Sequence, residues 1–97
     1  MDLFKLSIDE LKKRIEENKE DAMLHYYLAK KLFSASLSKE LMIEIEKELE
    51  TAVKLSPKLY MAHYYLGRLY FIQKDFEKAE KEFEKVISEL FSTEIGV

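Results

Sequence analysis

Cysteine and tryptophan are absent from this 97-residue chain, proline occurs once and glycine twice. Without cysteine there is no disulfide framework, no thiol nucleophile and no thiolate metal site. So little glycine and proline leaves no room for the turns of an all-β fold. No apolar run approaches the ~20 residues that cross a bilayer. The opening MDLFKLSIDE carries acids too early for a signal peptide. A cytoplasmic protein with no membrane partner is therefore expected. The net charge of −3 gives no basic excess for nucleic acid. The two histidines form no His-x3-His or His-Glu-x2-His pattern, and neither a GxxxxGK loop nor a GxSxG elbow occurs. The sequence thus predicts no metal, no cofactor and no enzyme.

What is present is a chain 47% hydrophobic and 36% charged, the balance of a folded soluble domain. Ninety-seven residues suffice for one core, though barely. Asparagine and glutamine are scarce beside abundant lysine and glutamate, which fits a heat-adapted source. Apolar residues recur at three- and four-residue spacing throughout, which predicts an all-α fold. Ser7 and Glu10 form a capping box opening a first helix that ends near Asn18. Asn18 is expected to cap a second helix, Lys19 to about Ser36, and Ser38 a third that buries Leu41, Met42, Ile45, Leu49, Ala52 and Val53. Ser56 and Pro57 read as N-cap and first helical residue of a fourth helix reaching Gln73. Asp75 is expected to cap a fifth, with Phe76, Ala79, Phe83, Val86, Ile87 and Leu90 inward. Five antiparallel helices follow.

The tetrapeptide HYYL occurs twice, at His25–Leu28 and His63–Leu66, 38 residues apart. The flanks repeat too: AMLHYYLAKKLF against YMAHYYLGRLYF. A fixed period in this range marks stacked helical hairpins. The histidines then read as packing residues, not catalysts.

On these residues the chain resembles the tetratricopeptide repeat (TPR) family, whose 34-residue pattern sets Trp, Leu-Gly and Tyr on one helix and Ala-x3-Phe, then Pro, on the next. The second repeat supplies His63, Leu66-Gly67, Tyr70, Ala79 and Phe83; the first supplies His25, Leu28-Ala29, Leu32, Ile45, Leu49 and Pro57. Histidine replaces tryptophan twice, Ala29 replaces the glycine, and Phe91 stands where the second proline would be. The four-residue surplus of the first repeat falls in SASLSKE. The resemblance, over about residues 22–91, implies a short right-handed solenoid. Its divisions would be an arm at 1–6, a degenerate half repeat at 7–18, repeats at 19–56 and 57–91, and a tail at 92–97.

It also implies a protein-binding scaffold whose first helices line a concave groove. Met23, Tyr26, Lys30 and Phe33 share one helical face, and Met61, Tyr64, Arg68 and Phe71 repeat it. Tyr27 and Tyr65 are expected at its edge. Such rows give large adaptable contact with two positive points. With Glu40, Glu44, Glu46, Glu48 and Glu50 expected on the outer side, the groove would draw a peptide with acidic side chains or a free carboxylate. The lysine–asparagine–arginine clamp by which some members hold chaperone C-termini lacks its asparagine, so an apolar or amphipathic segment is the expected ligand. The ends offer an alternative. Leu3 and Phe4 at one end, and Phe83, Val86, Leu90 and Phe91 at the other, leave apolar surface suited to a homodimer.

Overall fold

The computed structural model describes residues 2–95, with side chains to residue 91. A short 3-10 turn, Leu3–Lys5, precedes five helices: α1 (Ile8–Glu17), α2 (Ala22–Ala35), α3 (Lys39–Leu55), α4 (Tyr60–Ile72) and α5 (Phe76–Ile95). They stack as antiparallel hairpins in an elongated body of 40 × 31 × 20 Å. The main packings are α2 on α3 and α4 on α5, with α3 joining the two hairpins through α4 and α1 lying on α2. The all-α expectation and the helix count hold. Of the expected tail, residues 92–95 continue α5, and 96–97 lie outside the described residues.

Three of the expected caps form. Ser7 Oγ accepts from Glu10 N–H at 3.1 Å while Glu10 Oε1 accepts from Ser7 N–H at 3.0 Å. That backbone bond, with the Ser7 hydroxyl, lowers the Glu10 pKa. Ser38 accepts from Leu41 N–H at 3.3 Å and Asp75 from Lys78 N–H at 3.3 Å. The starts of α2 and α4 differ from expectation. Asn18 terminates α1, its N–H donating to the Arg14 and Ile15 carbonyls, and Asp21 caps α2 by accepting from Met23 N–H at 3.0 Å. Likewise α4 begins at Tyr60 after Leu59, which supplies no side-chain cap, so Ser56 and Pro57 belong to the preceding turn.

Both delays have one cause. A helix beginning at Lys19 or Pro57 would spend that residue's carbonyl on its own ladder. Here each carbonyl accepts instead from a histidine: Lys19 O from His25 Nε2 at 2.8 Å, and Pro57 O from His63 Nε2 at 2.8 Å. The opposite ring nitrogen meets a carboxylate of the next helix. His25 Nδ1 lies 2.6 Å from Glu48 Oε1, and His63 Nδ1 lies 2.7 Å from Glu82 Oε1. Each ring is 7% exposed. The carbonyl and the carboxylate are both acceptors, so each ring is held between two acceptors on different pieces of chain. Glu48, expected outside, therefore lies within its hairpin. Glu82 bonds His63 and also takes Lys85 at 3.1 Å. A Glu77–Lys81 pair lies at 4.0 Å, wholly at the surface. Glu44 ties α3 to α1 through Lys12 at 3.3 Å.

These bridges also locate the surplus. The histidines are 38 residues apart but their glutamates only 34. The two connectors, 36–38 and 73–75, are equally long. The extra residues are helical, one at the end of α2 and three in the first turn of α3, and not in a longer loop. The second connector turns tightly. Lys74 adopts φ 64°, and Asp75 N–H reaches back to Tyr70 O at 2.9 Å, which closes α4 in the manner of a Schellman motif.

The core runs through both hairpins, with Leu11, Ile45, Leu49 and Leu69 wholly enclosed. Gly67 permits a close helix approach: a Cβ there would lie 2.5 Å from the Phe83 ring. The first repeat has Ala29 and Leu49 at the matching places, a larger residue facing a smaller one. The pairs exchange volume between partners.

Two outcomes follow for stability. Replacing His25 by alanine strands the half-buried Glu48 carboxylate and a turn carbonyl, and should cost about 3 kcal/mol in denaturant unfolding. His63→Ala, which leaves Glu82 its bond to Lys85, should cost less, and Lys81→Ala under ~0.5 kcal/mol. Gly67→Ala should cost about 1 kcal/mol, overpacking outweighing the better helix propensity. Adding Phe83→Leu, which recreates the first repeat's pair, should recover most of that loss, and a double-mutant cycle with no coupling would contradict the packing described.

Candidate functional site

The first helices of the two hairpins, α2 and α4, carry the residues expected in the groove, and the structure sorts them into two groups. Tyr26, expected to face a ligand, is 3% exposed. Its ring lies 5.0 Å from Tyr27 and 6.0 Å from Tyr65, inside the junction between hairpins. Phe33 is also covered, meeting Tyr65 edge-on at 5.5 Å. The reason is that α4 packs over this side of α2, so residues in the same register are buried in the first repeat and open in the second. Met23 and Tyr64 are exposed, while Lys30, Met61 and Arg68 are half-buried. Phe71 meets Phe76 edge-on at 5.3 Å, borders a cleft with Phe83 and Ile87, and lines a neighbouring pocket with Arg68.

Arg68 organises the accessible part. Its guanidinium carbon lies 4.8 Å from the Phe33 ring centre, 5.4 Å from Tyr65 and 5.7 Å from Tyr64. Tyr64 and Tyr65 in turn meet at 5.6 Å. Aromatic faces attract a cation without neutralising it. No carboxylate among the described residues pairs with Arg68, and none of its N–H groups has a protein acceptor there. One repeat away Lys30 lies over Tyr27 at 5.9 Å, also without a carboxylate. Sequence periodicity named both cations but missed Tyr27 and Tyr65 as their platforms, because helical spacing assigns a side chain to a face and not to a neighbour on another helix.

Three lysines of a broader cleft between α4 and α5 already have carboxylate partners. Lys78, Lys81 and Lys85 border it, and each has a carboxylate within 4.0 Å: Asp75, Glu77 and Glu82 respectively. Tyr70 lines the same cleft. Burial, then Glu46 and Glu50 of α3, raise its pKa to about 12. Burial similarly raises Tyr26 to about 12, with Tyr65 adding to the shift. No group of three potential metal ligands exists among the described residues. No described helix is long and apolar enough to cross a membrane.

At the ends, Leu3 packs on the core beside buried Leu6, leaving Phe4 exposed. Phe83 and Val86 are half-buried, while Leu90 and Phe91 stand open.

Residues 60–90 match the tetratricopeptide repeat family model. Together with the five stacked helices, this match makes the chain a TPR-like assembly of helical hairpins, a fold that provides a helical groove for protein or peptide. No curated protein and no solved structure matches it significantly.

The two tyrosines set an alkaline limit. Both folded pKa values lie above the ~10 of an unfolded phenol, so their contribution is complete below pH 10 and is lost as pH rises toward 12. Stability should fall by roughly 1 kcal/mol per tyrosine by pH 11. Denaturant midpoints of Tyr26→Phe and Tyr70→Phe should show a correspondingly shallower decline over that range.

Proposed function

We propose that the chain is a peptide-binding adaptor that holds a carboxylate-bearing, partly apolar segment across α2 and α4. The reading is carried by Arg68, a cation held among three aromatic rings with no anion of its own. In a partly dry setting such a guanidinium takes a carboxylate bidentately. Lys30, in the same register of the preceding repeat, supplies a second positive point. Exposed Met23 and Tyr64, with Met61 beside them, offer contact surface for the apolar residues flanking the acid. Tyr26 and Phe33 support this platform from beneath and are not themselves contacts.

The test is selection from a random heptapeptide library displayed with free C-termini. Enriched peptides should carry an acidic side chain, or rely on the terminal carboxylate, beside an aliphatic or aromatic residue. Against the best such peptide, Arg68→Glu with Lys30→Glu should lose at least tenfold in affinity, about 1.4 kcal/mol or more. Tyr64→Ala should lose several-fold, and amidation should weaken any peptide bound by its terminus. Failure to enrich any peptide, or undiminished binding by the charge-reversed variant, would end this reading.

A further inference from the structure

The second hairpin ends in a face that closely repeats one already filled inside the molecule. The edge of α2 and α3 carries Tyr26, Phe33, Glu46, Leu49, Glu50 and Val53. At the matching places α4 and α5 carry Tyr64, Phe71, Glu80, Phe83, Glu84 and Ile87. Every apolar position stays apolar or aromatic and both glutamates recur. Their surroundings differ. Tyr26 is 3% exposed and Tyr64 39%; Phe33 is 9% exposed and Phe71 59%; Leu49 is wholly buried and Phe83 only half. The first edge is covered by α4. On the second, Phe71, Phe76, Ala79, Phe83 and Ile87 line an open apolar cleft, flanked by Glu80 and Glu84.

What fits such an edge can be read from α4. It presents fully buried Ala62 and Leu69, the Tyr65 ring against Phe33 and Tyr26, and the Arg68 guanidinium over Phe33. These four lie at i, i+3, i+6 and i+7 on one helical face. On the open edge Phe71 replaces Phe33 beneath such an arginine. Charge narrows the choice of occupant. Glu80 and Glu84 form no ion pair among the described residues, so they favour a basic partner. A second copy joined face to face through this edge would instead bring four uncompensated carboxylates into one interface. Opposite the edge, Leu3 and Leu6 pack their own end of the stack.

We propose that the open edge of α4 and α5 docks a basic amphipathic helix of another polypeptide, with a small residue, an aromatic ring and an arginine at the spacing of Ala62, Tyr65 and Arg68. This edge adjoins the peptide groove at Tyr64, whose ring lies 6.2 Å from Phe83, and at the pocket that Arg68 shares with Phe71 and Phe83, but the docking leaves Lys30 and Tyr27 unused.

The probe is an acetylated, amidated peptide of this chain's own residues 57–74, the segment whose fit to such an edge the fold displays. It is titrated into the whole chain up to about 1 mM, the range where a short unfolded helix still binds measurably, and followed by side-chain NMR. Saturable shifts are expected at Phe76, Phe83 and Ile87. Binding should weaken at least tenfold with Ile87→Glu or Phe76→Glu in the chain, both exposed positions, or with Arg68→Glu in the peptide. Lys30→Glu in the chain should leave it unchanged. No saturable response would overturn the proposal. So would shifts centred on Tyr27 and Lys30, which would assign the peptide to the groove. Light scattering that finds the free chain already dimeric, with Ile87→Glu making it monomeric, would replace the foreign helix by a second copy.

Discussion

Each hairpin is held by a buried histidine that answers to three pieces of chain at once. Its ring sits on one helix, one nitrogen takes the carbonyl of the turn before that helix, and the other meets a glutamate on the helix after it. Where the family pattern has tryptophan, a side chain that fills volume and donates one hydrogen bond, this chain has a smaller ring that orients two neighbours. The bridge delays the start of its helix, fixes the turn, and sets the angular position of the following helix. The close contact of Gly67 with Phe83 and the stacking of one hairpin on the next both depend on that position.

Architecture was legible because its signals are local and repeated. The capping box at Ser7 and the caps at Ser38 and Asp75 are written within single helices. Of the α5 stripe expected inward, only Ala79 is buried and Phe83 and Val86 half-buried, while Phe76, Ile87 and Leu90 stand exposed because no further helix covers them among the described residues. The starts of α2 and α4 were misread because Asn18 and Ser56-Pro57 are good local signals that a tertiary bond overrides. The His–Glu pairing was hidden for a related reason. His25 and Glu48 are 23 residues apart but His63 and Glu82 only 19, so no single spacing reveals both. Comparing the second helices at 34 residues, and the first at 38, would have aligned the two glutamates.

The candidate site was legible by halves. Periodicity found Lys30 and Arg68 and placed them one repeat apart, which the geometry of a stacked helix pair requires. It could not distinguish Tyr26 from Tyr64, since identical residues in identical register differ only in whether another helix lies over them. That difference is a property of position in the stack. The same asymmetry separates Phe33, a platform beneath Arg68, from exposed Phe71, which meets Phe76 edge-on.

The surplus residues at the junction of α2 and α3 bear on how such a chain is lengthened. They are absorbed as one helical residue before the turn and three after it, all ahead of Glu48. The three added to α3 turn that helix by about 300°, roughly 60° short of a full turn, and the histidine–glutamate bridge still closes at nearly the same distance in both hairpins. Growth there changes the reach of a hairpin's tip and leaves its two flanks in phase. The tips of the stack are thus where length drifts freely, while every residue between bridge and edge is bound to a common pitch.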